Sequence, residues 1–280
     1  MHLFEDKYIK VQGMNIRYWQ EGEKGPYLIL VHGIGACAEY WHANMAFLSH
    51  HYRVIAVDMP GFGKSDKPDV DYSLEFYELF LAGFLDALQI QTCFLMAHSL
   101  GGAVAIGFTL DHPERVKKLV LVDNVGFALN VIIFFRLMAL PIIGKFLLNP
   151  GKKLFTTALR SNVYDSRSIS DEFANQIYAY LNEAGTQRTM RYIVKHNTNL
   201  RGIKKQSIQP LLSRYDQLKN LPILLFWGKQ DHLLPYAPHI NAAKEFIPHA
   251  EFVEVDRCGH ILQIEYPDFF NERVLQFLNH

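Results

Sequence analysis

The sequence predicts an α/β fold, a mostly parallel, doubly wound sheet of eight strands flanked by helices. Short apolar runs alternate with helical patterns over most of the chain, which is the element order of such a sheet. The central runs are continuously apolar, as strands buried on both faces are. The alternation stops between about 125 and 212 and then resumes, so a segment of different character interrupts the sheet.

Taken in order, YIKV and NIRYWQ alternate polar and apolar residues and suit an antiparallel ribbon. The runs YLILVHG (27–33), YRVIAVD (52–58), CFLMAHS (93–99), KLVLVD (118–123), ILLFWG (223–228) and EFVEV (251–255) follow as strands. Helical spacing appears around 75–88, 100–111 and 237–247, and in the terminal PDFFNERVLQFL. The interrupting segment is helical and has two parts: residues 127–148 are apolar, whereas residues 160–209 are rich in Ser, Asn, Arg and Gln. The reading is a core in two parts, 1–124 and 213–280, with a helical cap at 125–212 inserted after the sixth strand. In open sheets ligands bind at the carboxyl edge of the strands, and a cap there shapes the pocket.

Composition narrows the function. The 280 residues are 49% hydrophobic and 20% charged, enough for a sizeable core. Lys+Arg and Asp+Glu balance at 28 each, so no basic face for nucleic acid is indicated. Cys37, Cys93 and Cys258 are odd in number and lack metal-like spacing, which argues against a disulfide framework or zinc site and fits a cytoplasmic protein. The start, MHLFEDKYIK, does not read as a secretory signal. The stretch FALNVIIFFRLMALPIIGKFLL has roughly the ~20 residues a membrane span needs. Asn130, Arg136, Pro141 and Lys145 interrupt it, so it reads as a greasy lid or interfacial helix, open to peripheral lipid contact.

The chemistry centres on FLMAHSLGGAV, residues 94–104, where a strand ends in a turn that opens a helix. Ser99 sits at that turn, and Ala97 stands where G-x-S-x-G has its first glycine. A serine hydroxyl needs a base within hydrogen-bond reach, and the base needs an orienting group. His260, in DRCGHILQIEYPD, follows the last strand, and Asp231, in LLFWGKQDHLLP, follows the strand before it. Ser, Asp and His in that chain order, each at a strand's carboxyl end, is the order of nucleophile-elbow hydrolases. An oxyanion hole needs two aimed N–H groups. Leu100, the residue after the serine, is one candidate. Ile34, in the HGIG loop after the third strand, is the other.

Together LVHGIG, DMPGFGKSDKP, AHSLGG, WGKQDHLLP and CGH, in that order and spacing, resemble the α/β-hydrolase family across essentially the whole core. The resemblance implies a Ser99–Asp231–His260 triad, backbone oxyanion donors at Ile34 and Leu100, and no metal or organic cofactor. Several other residues imitate functional ones. Asp123 occupies a position some members use for the acid. Asp256 lies four residues before His260 and is expected to pair with a base such as Arg257. GFGKS (61–65) resembles the end of a phosphate loop, but Asp58 replaces its first glycine and no helix follows directly. Cys258 is expected to pack, and His32 to brace the oxyanion loop.

Ser99 stands where the epoxide hydrolases and haloalkane dehalogenases of the family have Asp, which argues against both, and the HGGPG loop of proline iminopeptidases is missing. The main expectation is a carboxylic-ester hydrolase of the esterase or lipase type, because the HSLGG elbow is typical of those members. Val131, Ile132, Ile133, Phe134, Phe135, Leu137 and Met138 then line an apolar pocket or form the cap's own core. His98, Phe134, Phe135, Met138 and Ile261 are the candidate substrate contacts for a small-molecule ester. The alternative is a carbon–carbon bond hydrolase acting on a meta-cleavage dienoate. The stretch KLFTTALRSNVYDSRSISDEF resembles the caps of those enzymes, and Arg188 or Arg191 could bind a substrate carboxylate. Against it, His98 stands where that group has Asn and Ile261 where it has Trp. A hydrolase-fold receptor or scaffold with little turnover is the third reading.

Overall fold

The computed structural model describes residues 4–147 and 150–279; the end of the apolar stretch at Leu148 lies outside the described residues. Strands β1 (Lys7–Val11) and β2 (Met14–Glu21) form the antiparallel ribbon. Strands β3 (Tyr27–Val31), β4 (Arg53–Val57), β5 (Cys93–His98) and β6 (Val116–Val122) precede the cap. A two-residue ribbon inside the cap, β7 (Thr198–Asn199) and β8 (Gly202–Ile203), stands apart from the main sheet. Strands β9 (Ile223–Gly228) and β10 (Glu251–Val255) complete that sheet. The eight strands run β1-β2-β4-β3-β5-β6-β9-β10, and all pairings from β4 to β10 are parallel.

The strand pleat divides the core in two. Ile29, Val31, Ile55, Val57, Leu95 and Ala97 face one layer, while Leu28, Leu30, Val54, Ala56 and Met96 face the other. Both faces are covered, which is why these strands have no polar alternation. The first layer takes α2 (Leu74–Ala87), capped by the Ser73 hydroxyl on Phe76 N–H at 3.1 Å, and α3 (Leu100–Asp111). The second takes α1 (His42–Leu48) and the C-terminal α12 (Pro267–Asn279). Helix α1 follows a 3-10 turn at Ala38–Trp41 and was not anticipated, although Ala38, Trp41, Met45 and Leu48 have helical spacing and are fully buried.

The cap comprises α4 (Ile133–Met138), α5 (Pro141–Leu147), α6 (Lys152–Arg160), α7 (Asp171–Leu181), α8 (Ala184–Asn197) and α9 (Lys205–Leu212). Helix α7 begins at a Ser170 cap, whose hydroxyl accepts Phe173 N–H at 3.1 Å. Helices α10 (Tyr236–Phe246), α11 (Leu262–Glu265) and α12 (Pro267–Asn279) follow the return to the sheet. The cap's own cluster, including Leu159, Phe173 and Ile177, closes on Tyr40 and Ile261 of the core. No helix among the described residues is long and apolar enough to cross a membrane.

Gly101 lies where α3 leaves the sheet. A Cβ there would be 2.5 Å from the His32 carbonyl oxygen and 2.7 Å from that of Val31. Alanine would favour the helix by about 1 kcal/mol, but neither backbone carbonyl can move away. Gly101→Ala is therefore expected to destabilise the fold by about 1–3 kcal/mol net, read as a lower urea midpoint. An unchanged or raised midpoint would show that the two backbones can separate.

Candidate active site

The turn between β5 and α3 holds Ser99 at φ 55°, ψ −120°, a left-handed φ that is costly for any residue with a Cβ. Backbone bonds impose it. Ser99 N–H donates to Val122 O at 3.0 Å, and Ser99 O accepts from Gly102 and Val125 N–H at 3.0 Å each. The residue two before it, Ala97, is fully buried in regular strand and is not among the left-handed residues, so its methyl is accommodated. Gly33 faces the serine from the β3 side. A Cβ there would lie 2.8 Å from Ser99 Cβ and 3.3 Å from Oγ, so only glycine leaves room beside the hydroxyl.

His260 reaches Ser99 from the loop after β10. Its Nε2 lies 3.0 Å from Ser99 Oγ and its Nδ1 2.7 Å from Asp231 Oδ2. The carboxylate accepts, so Nδ1 carries the proton and Nε2 is left to accept from the serine. Asp231 is in turn fixed by Leu233 and Leu234 N–H groups donating to Oδ1 at 2.8 and 3.0 Å. All three side chains are buried. The structure thus brings the three sequence-predicted residues into one hydrogen-bonded line.

Ser99 and His260 open into a cavity of about 640 Å³ between the sheet edge and the cap. Ile34 and Leu100 line it beside them. As the first residue of α3, Leu100 has no i−4 carbonyl for its N–H, which leaves that group free for an anion at the positive end of the helix. His98, Phe134, Phe135, Met138 and Ile261 also line the cavity, with Val131 and Ile132, whereas Ile133 and Leu137 do not. Val131 and Met138 are at the same time part of the buried core, so the apolar stretch serves both packing and pocket. The lining is almost wholly aliphatic and aromatic; its polar members include Tyr40, Ser161, Asn162, Asn197 and Thr198, and none of its described residues is cationic.

His98 is more than a wall. Its Nε2–H donates to the His260 carbonyl oxygen at 2.8 Å, which fixes the backbone of the base. Burial and the nearby His260 push its pKa well below the ordinary histidine value, so it stays neutral. His32 braces the loop at Gly33–Gly35 by donating from Nδ1 to Gly33 O at 2.7 Å and accepting Met59 N–H on Nε2 at 2.9 Å. Burial lowers it to about 4.

Two further residues, missed in the sequence, hold the His260 loop from the cap side. Asn162 O accepts His260 N–H at 2.6 Å. Glu265 accepts Gly259 N–H at 2.8 Å and Asp165 N–H at 2.7 Å, clamping cap and loop together. The signal available was the carboxylate six residues after Gly259 in CGHILQIE, but its partner in the cap is 100 residues away in sequence.

Two expectations need correction, those for the cap arginines and for the partner of Asp256, whereas the GFGKS turn and Cys258 are as expected. Arg188 donates to Lys67 O and Arg191 to Pro141 O; both are exposed and neither lines the cavity, because these helix positions face outward. Asp256 pairs with Lys229 at 3.1 Å instead of Arg257, whose backbone is left-handed at φ 54°. The GFGKS turn wraps the Asp58 carboxylate, which accepts Lys64 N–H at 2.8 Å and fills the space a phosphate would need. Cys258 is fully buried and its thiol is pushed up by burial and neighbouring carboxylates.

A model of the alpha/beta hydrolase fold family matches residues 26–267, and the chain belongs to that family. The 2-hydroxy-6-oxo-6-(2'-aminophenyl)hexa-2,4-dienoic acid hydrolase of Metapseudomonas resinovorans is 29% identical over 99% of this chain and 91% of its own. The 2-hydroxy-6-oxononadienedioate/2-hydroxy-6-oxononatrienedioate hydrolase of Burkholderia vietnamiensis is 30% identical over 97% and 95%. Among solved structures, a meta-cleavage product hydrolase from Pseudomonas fluorescens IP01 matches with a TM-score of 0.82 at 30% identity, covering 98% of this chain and 97% of that one.

Asp123 follows β6 behind this site, fully buried at φ 42°. Its Oδ1 accepts Gly228 N–H at 2.8 Å and its Oδ2 has no partner among the described residues. Burial, with the charge of Asp231 second, raises its pKa well above the ordinary carboxyl value. A folded-state pKa above the unfolded one gives stability that is complete below about pH 4 and lost as pH rises through the raised value. Asp123→Asn keeps the Oδ1 acceptor without that charge, so its melting temperature should exceed the parent's at about pH 8 and approach it near about pH 4. A variant less stable at the higher pH would show that Asp123 is held ionised.

Proposed function

We propose that this hydrolase cleaves carboxylic esters with an apolar acyl or alcohol part through a Ser99 acyl-enzyme. The observation that carries the reading is the Ser99–His260–Asp231 line opening into an aliphatic cavity without a cation among its described lining residues. Ser99 Oγ attacks the carbonyl carbon while His260 Nε2 takes its proton, and the imidazolium is stabilised by Asp231. The Ile34 and Leu100 N–H groups receive the oxyanion, each such donor contributing ~10²–10³ in rate. His260 returns its proton to the leaving alcohol, and water then repeats the sequence on the acyl-enzyme.

The second reading is carbon–carbon hydrolysis of a dienoate, and the names of the relatives support it rather than the ester reading. A dienoate carries a carboxylate, however, and burying that charge without a cation is strongly unfavourable. Arg188 and Arg191, the residues expected to supply the cation, lie outside the cavity. The choice therefore turns on substrate charge.

Ser99→Ala is expected to lower kcat on p-nitrophenyl octanoate by ~10⁴–10⁶, leaving the residual rate of the oxyanion site; near-parental turnover would remove the whole assignment. In parallel assays the parent should prefer medium-chain p-nitrophenyl esters over a meta-cleavage dienoate in kcat/KM. Preference for the dienoate would establish the second reading. Arg188→Ala and Arg191→Ala should leave KM for either substrate nearly unchanged, and a large rise for the dienoate alone would place one of them at its carboxylate.

A further inference from the structure

The cap presents an unusual surface at the cavity mouth. Ile142 and Phe146 on α5 are 75% and 76% exposed, and Leu154 on α6 is 64% exposed. Ile142 and Phe146 are four residues apart and share one side of their helix. Phe134, Phe146 and Leu154 also line the cavity, so the exposed apolar surface and the pocket wall are built from the same side chains. Charge in this segment is one-sided. Between Asp123 and Asp165 the sequence holds five cations, Arg136, Lys145, Lys152, Lys153 and Arg160, and no carboxylate, in a chain with no net charge. Arg160 is drawn to Asp171, but Lys152 and Lys153 stand exposed beside Leu154.

We propose that the face formed by α4, α5 and the start of α6 seats on an anionic lipid surface, with the cavity mouth against the lipid. Apolar side chains flanked by lysines are the composition of interfacial helices, whose binding adds apolar burial to attraction for anionic headgroups. The long lysine stems lie along the apolar surface while their ammonium groups reach the headgroups. A second copy of this chain is the poorer occupant, because a two-fold contact would set this carboxylate-free basic segment against itself. That the surface also delivers substrate rests on the ester reading; the seating itself rests on the surface alone.

Co-sedimentation with vesicles tests the seating without reference to turnover. The protein should bind vesicles of equimolar phosphatidylglycerol and phosphatidylcholine, bind pure phosphatidylcholine vesicles much less, and be released by added salt. Ile142→Glu and the double variant Lys152→Glu/Lys153→Glu should each weaken binding by at least about tenfold with unchanged thermal midpoints. Neither variant touches a residue that lines the cavity. Ser99→Ala must bind like the parent, so failure of the ester reading would leave this result intact. No binding to the anionic vesicles, undiminished binding by both variants, or a stable dimer that Ile142→Glu dissociates while vesicles bind nothing would overturn the proposal.

Discussion

The carbonyls of Val31 and His32 occupy the space a side chain at residue 101 would need, so α3 meets β3 backbone to backbone. That approach sets how sharply the chain turns out of β5, and with it the left-handed φ of Ser99. The strain is offset by three backbone hydrogen bonds around Ser99: one closes the turn itself, and two tie it to β6 and to the chain beyond it. With the turn fixed, the Ser99 hydroxyl faces the cavity, and the loops after β9 and β10 need only bring a carboxylate and an imidazole to one point. The site depends on close backbone packing more than on any one side-chain contact.

A second constraint lies beneath the HGIG loop. Arg17 is almost fully buried and meets Glu39 at 3.0 Å and Asp58 at 3.1 Å, both fully buried. Asp58 also accepts Ala38 N–H at 2.7 Å, which anchors the far end of the loop that carries Ile34. Such a cluster adds little net stability over a well-packed apolar one, but removing one member leaves an uncompensated buried charge, at a cost of about 3–5 kcal/mol. Its contribution is therefore position: it fixes where the loop begins its return to the sheet.

The parallel strands were legible because their residues are apolar on both faces, and Ser99, Asp231 and His260 because each falls where a strand pattern ends. Helix α1 was equally periodic but short, and its His and Asn content obscured the pattern. Arg188 and Arg191 were misplaced because a cap helix with polar residues on several sides does not declare which side faces in. Asn162 and Glu265 were illegible for another reason. One acts through a backbone carbonyl, which no side-chain pattern marks, and the other through a contact between segments distant in sequence. Sequence patterns record which faces are buried; they do not record which loops touch.

Glu39 has one more role besides balancing Arg17. Its Oε1 accepts hydrogen bonds from Gln176 Nε2 and the Tyr180 hydroxyl, both at 3.1 Å, on α7 of the cap. Together with Asn162 and Glu265, this moors the cap to the core on two sides, at α7 and at the loop that follows α6. The foot of α4 is tied as well, by Ile132 N–H donating to Leu233 O at 2.9 Å and His239 Nε2–H to Asn130 O at 2.7 Å, while Ile133 on α4 and Ile142 and Phe146 on α5 meet solvent. A cap tied at the foot of α4, after α6 and at α7 has little freedom to swing as one piece. Rotation of Phe134, Phe146 and Leu154, which both line the cavity and meet solvent, is therefore the smaller movement that would open a way to Ser99.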